Sequence, residues 1–234
     1  MNVTLAINSF YITYVFLLTT TAITLIEALR SPIPQVRHIL NLETCISIIA
    51  SYFYGIFIEE IKKSEKEKLE KDKLKEEKVL NVIPIEKINN MRYIDWAITT
   101  PLMLLVLSMV LGYENKVLVK FKPYLLTLFF NFAMLAFGYI GEVRLLNRNI
   151  ASFISFIFLF LTYGTIWKLF MTGSKITFQS KFIFWIFVGT WSLYGLFYHT
   201  NETTKMIGYN ILDLIAKALI GIFLWLYLTK SVVF

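Results

Sequence analysis

Asp213 and Lys217 stand four residues apart inside an apolar run from roughly Ile207 to Leu228. A helix places positions i and i+4 on one face, so an acid and an amine meet there within hydrocarbon. An ionised side chain at the bilayer centre costs about 3 kcal/mol on insertion scales, so the pair needs a reason to exist. A structural ion pair facing the interior of a bundle is one reason. The other is covalent chemistry, because a buried lysine amine can condense with an aldehyde to form a Schiff base. A second stretch adds Arg92, Asp95 and Thr99 at i, i+3 and i+7, which fall on one helical stripe. A protonated Schiff base is a buried cation and needs a nearby anion to keep its charge. Asp95 and Asp213 could supply two, with Arg92 offsetting the excess. An ion pair at a helix end would explain Arg92 and Asp95 equally well. Trp191, Tyr194 and Tyr198 also recur at helical spacing, a flat aromatic wall suited to a conjugated chain. Ordinary core packing produces the same stripe.

The elements that must position these residues are legible in composition. Of 234 residues, 57% are apolar and 17% aromatic, and mean hydropathy is positive, as in an integral membrane protein. Seven apolar segments approach the ~20 residues that cross a bilayer, at roughly 8–29, 38–58, 91–112, 122–142, 149–171, 181–199 and 207–229. Helices are required, because an open strand leaves its backbone unpaired in lipid. The expected fold is therefore all-α, a single seven-transmembrane-helix bundle over residues 1–234. The single cysteine, Cys45, excludes an internal disulfide, and His38 and His199 stand apart, so no metal site is expected. A net charge of +7 sits mostly in connecting segments, which argues against nucleic acid as a partner. No basic stretch precedes the first apolar run, so no cleaved signal peptide is expected.

One connection is long. Residues 59–90 include eight lysines and eight acids between Glu59 and Lys78, with Glu59–Lys63 and Glu67–Lys71 at favourable i,i+4 spacing. Apolar positions there are few (Ile61, Leu69, Leu74), which predicts a solvated or membrane-surface helix before Val79–Ile85 returns the chain. Arg30, Arg37, Lys116, Lys120, Lys122, Lys168, Lys175, Lys181 and Lys230 share one side of the membrane; Arg144, Arg148 and Lys205 lie on the other. The basic excess puts the N-terminus outside and the C-terminus in the cytoplasm, although the lysines of 59–90 count against it.

Together these motifs resemble the microbial rhodopsins: Arg92-Tyr93-x-Asp95-Trp96-x-x-Thr99-Thr100-Pro101 on the third helix, Trp191-x-x-Tyr194 on the sixth, Asp213-x-x-x-Lys217 on the seventh. The resemblance covers nearly the whole chain. It implies all-trans-retinal bound as a Schiff base on Lys217, Asp95 as counterion and proton acceptor, and Asp213 as second counterion. It also implies Arg92 as an outward gate and Thr99 as the hydrogen-bond partner of Asp95. The retinal pocket carried over comprises Tyr54 on the second helix, Trp96, Thr100 and Met103 on the third, and Asn131, Met134 and Gly138 on the fourth. Ser155 on the fifth and Trp191, Tyr194 and Tyr198 on the sixth complete it.

Departures from the family pattern bear on mechanism. Outward pumps carry a cytoplasmic donor carboxylate about three turns beyond the acceptor, where this chain has Val106. Glu43, in the cytoplasmic half of the second helix, is the candidate replacement, unless it lies hydrated at the interface. Glu27 is read as interfacial. Gly195 replaces the sixth-helix proline, and the paired outer carboxylates that release protons are not evident, with Glu202 nearby and Lys205 in part of that region. A second-helix glutamate with an Asp–Thr–apolar third helix is similar to the viral branch found in giant viruses of algae. That resemblance implies residence in a host cell membrane, lipid as partner, and assembly as a pentamer or trimer. The expected activity is a light-driven outward proton pump. The alternatives are a light-gated cation channel, with Glu43, Ser9, Asn210 and Glu202 along a polar seam, and a photosensor. No catalytic constellation suggests an enzyme.

Overall fold

The computed structural model describes residues 3–72, 83–172 and 176–230, with the side chains of 68–72 left aside. Among them are seven helices long and apolar enough to cross a membrane. These are α1 (Val3–Arg30), α2 (Pro34–Asp72), α3 (Ile85–Asn115), α4 (Phe121–Glu142), α5 (Arg148–Phe170), α6 (Phe178–Tyr198) and α7 (Glu202–Leu228). Large apolar side chains such as Leu29, Phe129, Phe160 and Leu196 face outward, as a lipid-exposed surface requires.

Several helices outrun their apolar segments. The expected starts at 8, 91 and 207 become Val3, Ile85 and Glu202. Hydropathy reports the hydrocarbon-facing stretch, whereas the helix continues wherever its polar ends find partners. Asn147, Thr177 and Asn201 cap α5, α6 and α7 by accepting backbone N–H bonds. The largest extension is α2, which continues without a break through the charged segment to Asp72. Ile61 explains the continuity, because it is buried in an apolar cluster with Phe57, Ile88 and Met206. Among the described residues Glu59 and Lys63 do not form the expected ion pair; Glu60 takes Lys87 at 2.7 Å instead. The Glu67–Lys71 pairing, Leu69, Leu74, Lys175 and most of Val79–Ile85 lie outside the described side chains or residues.

Two local irregularities shape the interior. Pro101 sits inside α3 and lacks an N–H. In the turn before it, the hydroxyls of Thr99 and Thr100 donate to the carbonyls of Asp95 and Trp96 at 2.8 and 2.6 Å. In α7 the residues Leu214–Leu219 form a π-helical turn, with the Ile220 N–H reaching back to the Ile215 carbonyl. Such wide turns recur at functional sites. This one carries Lys217.

Candidate functional site

At mid-depth four charged side chains meet: Lys217 and Asp213 from α7, Asp95 and Arg92 from α3. Each is at most 1% exposed. Lys217 Nζ lies 2.6 Å from Asp95 Oδ2 and 3.5 Å from Asp213 Oδ1, so the amine favours the carboxylate across the bundle over the one on its own helix. Two acids and two bases leave the group formally neutral, which is what makes its burial tolerable.

The two carboxylates are held very differently. Asp213 Oδ2 accepts from Tyr54 Oη at 2.9 Å and from Arg92 Nη1 at 3.0 Å. Its Oδ1 accepts from Tyr194 Oη at 2.7 Å and Trp96 Nε1 at 3.3 Å. Among the described residues, the Asp95 carboxylate has only Lys217 and a long 3.4 Å contact from Thr99 Oγ1. A proton arriving at Asp213 would have to displace a donor; one arriving at Asp95 would not. Arg92 is fixed in turn. Its Nη2 donates to Asn210 Oδ1 at 2.7 Å, and the rings of Phe10, Tyr54, Phe57 and Tyr209 surround its guanidinium at 5.2–5.7 Å. Asn210 Nδ2 then donates to Ser9 Oγ at 2.8 Å, joining α7 to α1.

Lys217 and Asp213 help to line a cavity between α3, α4, α5, α6 and α7. Its walls bring together most of the expected pocket: Trp96, Thr100 and Met103 from α3; Met134 and Gly138 from α4; Ser155 from α5; and Trp191, Tyr194 and Tyr198 from α6. Two expected members stand behind it. Tyr54 is committed to Asp213, Arg92 and Asn210, and Asn131 donates to Thr100 Oγ1 at 2.9 Å. Both support residues that touch the cavity. Sequence reasoning missed Tyr93, Leu135, Ser152, Phe156, Leu159, Gly195 and Tyr209. Tyr209 was findable, since it lies four residues before Asp213 on the Lys217 face. Phe156 and Gly195 were not, because they make one joint fit: a methyl at Gly195 would overlap the Phe156 ring. That contact occupies the place where the sixth helix lacks its family proline, and α6 runs unbroken. The apolar and aromatic walls and the lysine amine among them fit a conjugated aldehyde.

Away from the cavity, Glu43 is 2% exposed and forms no ion pair among the described residues. It reaches α7 where Gly221 leaves room: a Cβ there would lie 3.1 Å from Glu43 Oε2 and 2.8 Å from a Thr20 methyl. Four residues separate Gly221 from Lys217, about 6 Å of helix rise. Thr20 Oγ1 donates to the Ala218 carbonyl in the π turn at 3.2 Å. Val106 is fully buried, and the α3 wall at that depth is apolar. Glu27 pairs with Arg30 at 3.1 Å and is partly exposed, as an interfacial residue should be.

At the opposite end, Glu202 does not stand alone. It meets Glu142 from the end of α4, with Lys205 between them and Arg148 alongside. Glu142 was missed because it closes an apolar run and reads there as a helix boundary.

The comparisons agree with this geometry. A family profile described as bacteriorhodopsin-like protein matches residues 4–231. Among solved structures, the viral rhodopsin OLPVRII is 38% identical, with 98% of this chain and 100% of that one covered and a TM-score of 0.81. A blue light-absorbing proteorhodopsin from Med12 (21% identical, 97% and 98% covered, TM-score 0.69) shares the fold. So does xanthorhodopsin, described as a light-driven ion pump with dual chromophore (20% identical, 95% and 91% covered, TM-score 0.69). No curated protein matches.

Proposed function

This chain belongs to the bacteriorhodopsin-like family of microbial rhodopsins, retinal-binding photoreceptive membrane proteins, and from that premise we propose that it is a light-driven outward proton pump. Retinal is the cofactor, and Lys217 is the residue proposed to hold it as a Schiff base. The observation that carries the pump reading is the asymmetry of the carboxylates: Asp95 faces the amine at 2.6 Å with little else to bind, while four other donors occupy Asp213. When bound, retinal supplies a light-driven change in the geometry and acidity of the nitrogen it shares with Lys217.

The chain's own residues do the rest. Asp95 Oδ2 is placed to receive the proton from the lysine nitrogen. Asp213 and Arg92 keep a fixed ion pair beside it, 3.0 Å apart, so the acceptor changes charge while its surroundings hold still. Glu43 is the proposed source of the returning proton, reaching the π turn over Gly221 with Thr20 at its side. This assigns the Glu202 end of the bundle to the outside and the Glu43 end to the cytoplasm, in line with the basic residues that flank the latter.

One observation favours a second reading, a light-gated cation channel. Asn210, Tyr54 and Arg92, with the partly exposed Ser9, make a polar run between α1, α2, α3 and α7. In the structure that run is closed by its own hydrogen bonds, which suits a pump that needs no continuous path. Light-evoked current measured against voltage separates the two. A pump drives outward current near zero voltage with identical solutions on both sides, and the current does not reverse as the cation gradient changes. A reversal potential that tracks the imposed cation gradient would replace the pump with the channel.

A further inference from the structure

Once it has given up its proton, Glu43 must regain one from the cytoplasm, and the middle of the bundle is poorly suited to carry it. Toward that end, Val36 and Leu40 of α2, Val110 of α3 and Leu224 and Leu228 of α7 belong to one buried apolar cluster. A charge passing among such side chains loses its hydration and gains no partner. The interface between α1 and α2 is different. Thr20, Thr24 and Ser47 are buried there, and Thr21 and Thr44 partly so. A threonine in a helix can satisfy its hydroxyl on the carbonyl four residues back. Thr24 does this with Thr20 at 2.8 Å, and Thr44 with Leu40 at 2.9 Å. The two hydroxyls nevertheless also meet each other at 2.8 Å. These three contacts share two hydrogens, so the pair can place its hydrogens in more than one way, as a relay requires. One turn deeper, Thr21 Oγ1 donates to Ser47 Oγ at 3.0 Å. Thr20 shares the notch at Gly221 with the Glu43 carboxylate, and Thr44 follows Glu43 in the chain. One turn further out, the partly exposed Glu27 marks where this seam reaches the surface.

We propose that Glu43 is reloaded through this hydroxyl seam between α1 and α2, with Thr24 and Thr44 as the relay pair, and not through the middle of the seven helices. The inference rests on the pump reading, with Glu43 as donor, and deepens it by naming the way in. A hydroxyl oxygen accepts the incoming proton on a lone pair as it releases its own hydrogen inward. One proton thus leaves the medium, one O–H bond forms on the Glu43 carboxylate, and each threonine ends as it began. The two threonines serve the reloading of Glu43 and not its delivery to the lysine nitrogen.

The test separates delivery from reloading in Thr24→Val/Thr44→Val, which removes both hydroxyls and keeps the side-chain shape. After a flash on retinal-loaded, detergent-solubilised protein, visible absorption reads recovery of the protonated pigment. Time-resolved infrared spectroscopy reads loss and return of the Glu43 carboxyl stretch, identified by its absence from Glu43→Gln. Glu43 begins the turnover loaded, so pigment recovery should keep its wild-type speed, while return of the carboxyl band should slow about tenfold or more. Thr24→Ser/Thr44→Ser restores the hydroxyls and should restore the speed. Ser180→Ala removes a buried hydroxyl at the start of α6 and should leave both signals unchanged. A carboxyl band that returns at wild-type speed in a coloured valine variant overturns the proposal. So does equal slowing of both signals, or a delay that the serine pair fails to relieve. Should the double variant form no pigment, Thr44→Val alone, read in the same way, decides. The pump reading fails by a different measurement, absence of net transport by the wild type in vesicles, and takes this route with it.

Discussion

Two regions of this protein are built from the same parts. Each has two carboxylates, a lysine and an arginine: Asp95, Asp213, Lys217 and Arg92 at mid-depth, and Glu142, Glu202, Lys205 and Arg148 near one end. Both groups are formally neutral, but the central four are buried while Glu202 and Arg148 of the end group are 41% and 36% exposed. The difference lies in how the lysine divides its contacts. Lys205 bridges its carboxylates almost equally, at 2.7 and 2.8 Å, so neither is set apart. Lys217 divides unequally, at 2.6 and 3.5 Å, and the farther carboxylate is secured by tyrosines, a tryptophan and an arginine. Equal sharing makes a tie between helices. Unequal sharing leaves one carboxylate able to take a proton without disturbing the other.

The sharpest way to break the comparison is to remove each lysine. With all-trans-retinal supplied, Lys217→Ala should lose its visible absorption entirely, whereas Lys205→Met should keep a pigment. A coloured Lys217→Ala protein, without added amine, would remove the covalent linkage from the account. If both variants were coloured, or neither, the two quartets would not differ in the way claimed.

A smaller effect concerns an acid that belongs to neither group. Glu43 is buried without an ion pair among the described residues, so nothing fixes its charge by pairing. Glu43→Gln should slow recovery of the protonated pigment by roughly a hundredfold, the low end of what a positioned proton donor contributes, with no change in colour. Azide, a diffusible proton carrier, should restore the speed. Unchanged recovery in this variant would take Glu43 out of the pathway and leave the central quartet as described.

The central quartet was largely legible in the sequence, because its members are charges at helical spacing inside apolar runs. Asp213 and Lys217 could be seen to share a face, and Arg92, Asp95 and Thr99 a stripe. What spacing could not show was which carboxylate the lysine prefers. That depends on contacts across the bundle and on the π turn, which no local pattern announced. The end quartet was mostly illegible for a related reason. Glu142 and Lys205 are 63 residues apart and meet only because α4 ends where α7 begins, at the same end of the bundle. Hydropathy marked both as the edges of spans, where charged residues are unremarkable. The long α2 shows the opposite bias: its charges suggested a separate surface element, while the buried Ile61 carried the helix straight on.

The claim that Asp95 is the mobile carboxylate and Asp213 the fixed one is tested most directly by infrared difference spectroscopy, illuminated minus dark, on the retinal-loaded protein. Illumination should produce the carbonyl stretch of a newly protonated carboxyl group. That band should be missing from Asp95→Asn and should persist in Asp213→Asn. A band that survives in Asp95→Asn and disappears from Asp213→Asn would mean that the proton goes to the carboxylate with four other donors, and the asymmetry read from the structure would not govern the transfer.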